Sequence, residues 1–437
     1  MKSLDYAADD CGKTVFVCTW APPMAGGPRN LYNHLKSWPA QRYALVTSYL
    51  NFSWSVLEPS TWLPCDYVFF DYHGNADRTV TKIKVDPLMI RYRLIDKLDA
   101  ILNRFGQLLN KLKMPKPNLI DSIYQFGRSC RVFFACAKYS RSHKISQVVI
   151  ISDMGWGFIG GFLFAWFYDK PLKIFLFDLY ADNYMLSGNK ILAQIFEPII
   201  FKFADGIIVT NETTQSFLEK KYPYLDKINV VRNSSDLEPK KLTDVENYSN
   251  SKKPFIISFA GHIYWPHMES FKNLVECMKL LEQDNVILKM YVINPSEEVK
   301  VLIKGVKNIV LDYLPREQLT AEIQKSQLLF LPFSWNTQSP EIIRTASPAK
   351  FTDYLAAGVP FLVHAPKDSF VCEFAEKKKL GIVVPENSAI KLADKVRDFM
   401  KLDQNQAQEY ARNCIRFFNE EFKVDINSER LWKFTNE

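Results

Sequence analysis

Short apolar runs recur along this chain, each followed by a stretch with helical spacing, and that alternation limits the fold more than any other feature. In the first half Thr14–Cys18, Tyr43–Thr47, Tyr67–Phe70, Val148–Ser152, Leu172–Phe177 and Gly206–Thr210 read as strands. In the second half Phe255–Phe259, Val286–Ile293, Ile309–Tyr313, Gln327–Pro332 and Val359–His364 do the same. Several are continuously apolar, as strands buried on both faces of a parallel sheet must be. Strands alternating with helices build βαβ units. Polar, lysine-rich Leu237–Lys253 separates the two series and reads as a linker. The expected fold class is α/β, with two Rossmann-like domains facing across a cleft. The boundaries are residues 1–236, a linker at 237–253 and residues 254–419, with 420–437 packing back on the first domain.

Composition excludes several classes of function. At 437 residues, 47% hydrophobic and 24% charged, the chain has ample core and ordinary surface polarity. Its net charge of +7 is concentrated: Arg78 to Lys116 holds ten Lys/Arg against three Asp, and the remainder is close to neutral. A surface for nucleic acid is therefore not expected. Within the basic segment, Leu94 to Leu112 places apolar residues at helical spacing. Two readings stand, a core-facing helix or a face for an anionic membrane. The eight cysteines show neither a CxxC pair nor metal-ligand spacing, which suits reduced thiols in the cytoplasm. No apolar leader follows Met1, and Trp156–Tyr168, the longest apolar tract, is too short to span a bilayer. The expected location is cytoplasmic, at the inner face of the cell membrane if the basic segment engages it.

Candidate site residues fall at strand ends, where open α/β sheets hold ligands. The first strand runs into Gly26-Gly27, a turn that lets backbone approach a ligand or is simply tight. The third strand ends near His73, a cleft or structural histidine, and the fifth near Asp178. In the second half the opening strand turns at Gly261-His262. The most informative stretch is Ser347 to Pro360. Ser347 suits an N-cap, Pro348 the first helical position, and Gly358 with Pro360 a helix stop. Ala349 and Lys350 then lie in the first turn, where amide groups, the helix dipole and an ammonium favour an anion. Asp353 stands one turn on, placed to accept hydrogen bonds from hydroxyls.

The pattern Ser-Pro-x-Lys-x-x-Asp-Tyr-Leu-Ala-Ala-Gly-x-Pro resembles the donor-binding motif of GT-B glycosyltransferases of the retaining family 4 type. Residues 204–210 and 231–236 resemble that family's signatures for the end of the first domain. The resemblance implies transfer of a hexose from a nucleotide-diphosphate sugar to a hydroxyl of a glycan or lipid-linked glycan, as in polysaccharide biosynthesis. It implies retention at the anomeric carbon, the nucleotide-sugar as co-substrate, no cofactor and no metal. Lys350 would stabilise the departing diphosphate, and Asp178 or His73 would orient or deprotonate the acceptor. Gly26, Gly27, Gly261, Ser347, Pro348 and Ala349 would line the donor, with Asp353 on the ribose. The chain departs from the family in three places. Thr345 stands where the first of two glutamates is often found, with Glu341 as a substitute from the loop. Phe177 replaces a histidine before Asp178. No arginine follows Gly261, leaving His262, His267 and Lys272 as cationic candidates. Two rival readings remain, a GT-B sugar-nucleotide epimerase or hydrolase and a non-catalytic nucleotide-sugar binder.

Overall fold

The structure, a computed structural model, describes residues 12–20, 26–48, 62–71, 101, 104, 118–153, 155–183, 190–245, 248–251 and 254–437. His73 and, apart from residues 101 and 104, the basic segment 78–116 lie outside the described residues. The chain forms two compact units. One comprises Met1–Val231 with Ser428–Glu437, the other Arg232–Asn427.

In the first unit seven strands form one parallel sheet: β1 (Lys13–Val17), β2 (Tyr43–Thr47), β3 (Asp66–Phe69), β4 (Ile145–Ile151), β5 (Leu172–Leu176), β6 (Gly206–Val209) and β7 (Ile228–Val230). Their spatial order is β3-β2-β1-β4-β5-β6-β7. Register follows from alternation: Val15 and Val17 meet Val148 and Ile150, while Phe16 meets Val149 on the other face. Val15, Val17, Val148 and Ile150 join one apolar layer, and Phe16, Leu45 and Val149 join the other. The helices are α1 (Gly27–Leu35), α2 (Asn118–Tyr139), α3 (Trp156–Phe167), α4 (Lys190–Phe203) and α5 (Glu212–Lys221). Asn211 caps α5 as expected, its carboxamide oxygen accepting from the Thr214 amide at 2.9 Å. Helix α3 lies tight on α2, because a Cβ at Gly160 would come within 2.3 Å of the Ser129 carbonyl.

The second unit repeats the plan. Strands β8 (Phe255–Ala260), β9 (Val286–Tyr291), β10 (Ile309–Asp312), β11 (Leu328–Pro332), β12 (Phe361–His364) and β13 (Gly381–Val384) form a parallel sheet ordered β10-β9-β8-β11-β12-β13. Its helices are α6 (Leu242–Val245), α7 (Met268–Leu280), α8 (Glu297–Ile303), α9 (Arg316–Ile323), α10 (Pro340–Thr345), α11 (Ala349–Ala357), α12 (Phe370–Lys377), α13 (Ala389–Met400) and α14 (Gln404–Phe417). In each sheet the strand order reverses once, between β1 and β4 and between β8 and β11. A parallel sheet takes its ligand at the carboxyl ends of such a pair.

The segment expected as a linker belongs to the second unit instead. Val245 and Tyr248 enter its core, and the Tyr248 hydroxyl donates to the Gln327 carbonyl at 2.7 Å. The Asn250 carboxamide donates to the carbonyls of Phe399 and Leu402, both at 3.0 Å. A few buried anchors thus outweigh the lysines around them. Arg232 is also drawn in, its guanidinium paired with Glu421 at 2.6 Å over the rings of Phe374 and Phe422. The final helix, α15 (Val424–Asn436), changes unit within its length. Only from Ser428 does the tail join the first unit, where Leu431 and Phe434 pack with Phe16 and Val149.

Candidate donor-binding site

The second unit's site is built on α11, whose packing face is Phe351, Tyr354 and Leu355, all buried. The Tyr354 hydroxyl accepts from the Ala260 amide at 2.9 Å, which ties this helix to the end of β8. The helix begins one residue later than expected. Pro348 occupies the cap position in extended conformation and Ala349 is the first helical residue. Proline has neither an amide to satisfy nor a side chain that could cap. The Ser347 hydroxyl is buried without a hydrogen-bond partner, and no side chain caps the turn. The approach is fixed from behind: the Asn233 carboxamide donates to the Ser347 carbonyl at 2.6 Å. The first-turn amides therefore keep their affinity for an external acceptor.

Lys350 leaves this turn with its ammonium 4.5 Å from the centre of the Phe259 ring and 3.5 Å from His267 Nε2. Gly261, at φ 127°, turns the chain at the end of β8, a conformation open to glycine and strained for other residues. A Cβ there would lie 3.8 Å from Lys350 Cε, so the glycine turn and the lysine are in contact. Among the described residues no carboxylate lies within ion-pair distance of Lys350. Burial pushes its ammonium down to about 7. His267 is itself buried at the cap position of α7. Burial first, and the neighbouring Lys350 second, hold its imidazole well below the usual range. His267 is thus neutral at physiological pH and offers a lone pair to the ammonium, so it is not the second cation expected from sequence.

The other cationic candidates bring no side-chain charge into this cluster, although the His262 backbone meets the His267 ring. His262 is exposed, and Lys272 is exposed and paired with Glu298 at 3.3 Å. Asp353 sits one turn into α11, half-buried, where its carboxylate accepts from the Ser235 hydroxyl at 2.6 Å. Thr345 is buried and donates to the Glu341 carbonyl at 2.7 Å, while Glu341 lies in the first turn of α10 rather than in a loop. Sequence reasoning missed Asn233, Ser235 and Phe259. The polar run 233–235 directly after a strand was the available signal for the first two.

In the first unit the structure sets the Gly26-Gly27 turn against Phe177, the residue before Asp178. Gly26 precedes α1 at φ 76°, again with no side-chain cap, and a Cβ on Gly27 would lie 3.2 Å from the Phe177 ring. The residue found in place of the expected histidine is therefore the floor under the glycine turn. Asp178 follows, open to solvent, its backbone carbonyl accepting from the Ser152 hydroxyl at 2.7 Å. The turn beyond it is fixed by buried Glu197, which accepts from the Ala181 amide at 2.7 Å and the Tyr222 hydroxyl at 2.6 Å and pairs with Lys221 at 2.8 Å. At the switch point itself Asp153 accepts from the Thr19 amide, from the Thr19 hydroxyl at 2.7 Å and from the Trp20 amide at 3.3 Å. No group of three or more His, Cys, Asp or Glu among the described residues is arranged to hold a metal. No helix among them is long and apolar enough to cross a membrane.

Residues 241–416 match the family model of the glycosyl transferases group 1. Solved structures with the same fold extend over both units. The chain therefore has the GT-B fold, and the stretch similar to the group 1 glycosyl transferases lies within its second unit. Sucrose-phosphate synthase from Thermosynechococcus elongatus superposes with a TM-score of 0.63 at 11% identity, over 97% of this chain and 98% of that one. HepE from Anabaena in complex with UDP-glucose gives 0.61 at 12%, over 97% and 99%. A glycosyltransferase from Rickettsia africae gives 0.59 at 13%, over 97% of each chain. No curated protein matches the sequence. The Lys350 cluster lies within the matched domain, and its parts come from the glycine turn after β8, the start of α7 and the start of α11.

Proposed function

We propose that this protein transfers a hexose from a nucleotide-diphosphate sugar to a hydroxyl of a glycan or lipid-linked glycan, with retention at the anomeric carbon. The observation that carries the reading is the Lys350 cluster: an ammonium with no carboxylate partner among the described residues, beside an uncapped helix start, at the switch point of a unit similar to the group 1 glycosyl transferases. HepE, with the same fold, was solved with UDP-glucose, which supports a nucleotide-sugar as the donor.

In this reading the diphosphate lies against the amides of Ala349 and Lys350, and the Lys350 ammonium meets it. Charge grows on the diphosphate as its bond to the sugar breaks, so donors already aimed at it act mainly in the transition state. Gly261 lets the backbone approach, and His267 holds the ammonium in place by accepting from it. Asp353, steadied by Ser235, takes the ribose hydroxyls. On the first unit, Asp178 orients the acceptor hydroxyl, whose oxygen forms the new bond to the sugar and whose proton is released.

Calorimetric titration with UDP-, GDP- and ADP-sugars, followed by product analysis with candidate acceptors, tests the proposal. Binding of one nucleotide-sugar and an acceptor product with the donor's anomeric configuration are expected. Donor consumed without any acceptor would favour the epimerase or hydrolase. Tight binding with no turnover under any acceptor would make this a binder.

A further inference from the structure

The helix layer formed by α2, α3 and α4 presents an apolar face that the sugar-transfer reading does not use. Half of the exposed large apolar side chains among the described residues lie on these helices or directly after α3. Trp166 is 61% exposed, Phe167 70%, Phe203 54% and Ile195 53%, levels at which a single ring is ordinary but a cluster is not. The cluster is contiguous. Phe133 of α2 packs edge-on against Phe167 at 5.9 Å, Phe162 of α3 lies 6.0 Å from Phe203 of α4, and Phe126 stacks with Phe196 at 6.4 Å. Along α4 the exposed Ile191, Ile195 and Ile199 form a stripe at four-residue spacing.

The charges around this face are mixed, with cations in excess. All twelve residues of α3 are uncharged. Helices α2 and α4 carry Arg128, Arg131, Lys138, Lys190 and Lys202 against Asp121 and Glu197, of which Arg131 and Glu197 are buried, and exposed Asp169 and Asp205 follow the apolar ends of α3 and α4. Lys190 and Lys202 stand at the two ends of α4, next to Ile191 and Phe203, so their ammonium groups rim the apolar stripe. We infer that this face of the first unit docks on the surface of an anionic lipid bilayer. The Trp166, Phe167 and Tyr168 edge enters the interface, where aromatic rings are favoured, and the lysines meet the headgroups. A second copy fits less well, because a two-fold contact would set this cationic rim against itself. The face is separate in sequence from the basic segment 78–116, and its binding is independent of the sugar-transfer reading.

The test is co-sedimentation of the full-length protein with vesicles of phosphatidylcholine alone or mixed with phosphatidylglycerol. Binding to the mixed vesicles is expected to be about tenfold or more tighter than to the neutral ones. Phe167→Asp is expected to weaken it by about tenfold or more. Lys190→Glu with Lys202→Glu is expected to remove the preference for anionic lipid. These exposed positions leave the fold and nucleotide-sugar binding unchanged, so loss of vesicle binding in variants that still bind donor separates the two proposals. Equal vesicle binding by wild type and Phe167→Asp would overturn the inference. So would absence of vesicle binding together with a dimer in light scattering that Phe167→Asp dissociates.

Discussion

The two units solve the same chain-path problem and put opposite charges at its critical point. Each has a parallel sheet whose strand order reverses once, a glycine turn after the first strand and an uncapped helix start nearby. At the first unit's switch point the charge is a carboxylate, Asp153, taken up by the amides of Thr19 and Trp20. At the second unit's it is the Lys350 ammonium, set against an aromatic ring and a neutral imidazole. A charge satisfied by backbone is part of the architecture, whereas one held without a counter-charge is ready for a ligand of opposite sign. Fold and binding thus part company within a single scaffold.

Exchanging the two charges for neutral residues should produce opposite phenotypes, and this is the largest expected effect. Lys350→Ala should lower kcat/KM by about 10²–10³-fold, the range for loss of one preorganised group at a developing charge. Its melting temperature should hold or rise, because a desolvated ammonium has been removed. Asp153→Ala should instead cost about 2–4 kcal/mol of stability by leaving backbone amides unpaired. Initial rates and thermal unfolding of both variants decide the matter. A Lys350→Ala protein that is unstable yet turns over normally would erase the distinction.

The same contrast explains what could be read from the chain alone. Strand–helix alternation and the Ser347–Pro360 stretch carry local signals: apolar runs, a proline at a helix start, a glycine at its end. These place eleven of the thirteen strands to within about three residues and α11 to within one, while β7 and β13 go unread. The partnership of Lys350 with His267 has no such signal. It joins residues 83 positions apart, and only their common burial against Phe259 makes one charged and the other neutral. The segment 237–253 misled for a related reason, since lysine content outvoted the few anchors, Val245, Tyr248 and Asn250, that fix it in the core. Trp156–Tyr168, read only as an apolar tract too short to span a bilayer, ends in three residues that lie open.

The state of Lys350 makes a sharper comparison through pH. Its proton leaves near 7 in the folded protein against an ordinary 10.5. Between those values the unfolded chain binds a proton that the native one lacks, so this group makes stability rise with pH across that window. Below about 7 both states are charged and the cost of burying the ammonium is fully present. A diphosphate favours the charged form, so donor binding above pH 7 must take up a proton. Affinity should be flat below about 7 and fall by up to about tenfold per pH unit above it. Calorimetry in buffers of different ionisation enthalpy reads the proton uptake directly. The same profile in Lys350→Ala would assign the titration to another group.

Lys272 gives the smallest effect and the closest control. It shares the second unit with Lys350, carries the same charge and follows the same glycine turn, but it is exposed and paired with Glu298. An exposed pair contributes about 0–1 kcal/mol, since water and salt screen it and two flexible side chains must be ordered. Lys272→Ala should therefore change donor affinity and turnover by less than about threefold. Titration of the variant beside wild type is sufficient to check this. A tenfold loss of affinity would mean that the diphosphate draws Lys272 away from Glu298, so that cationic character at this site belongs to the bound complex as much as to the buried ammonium.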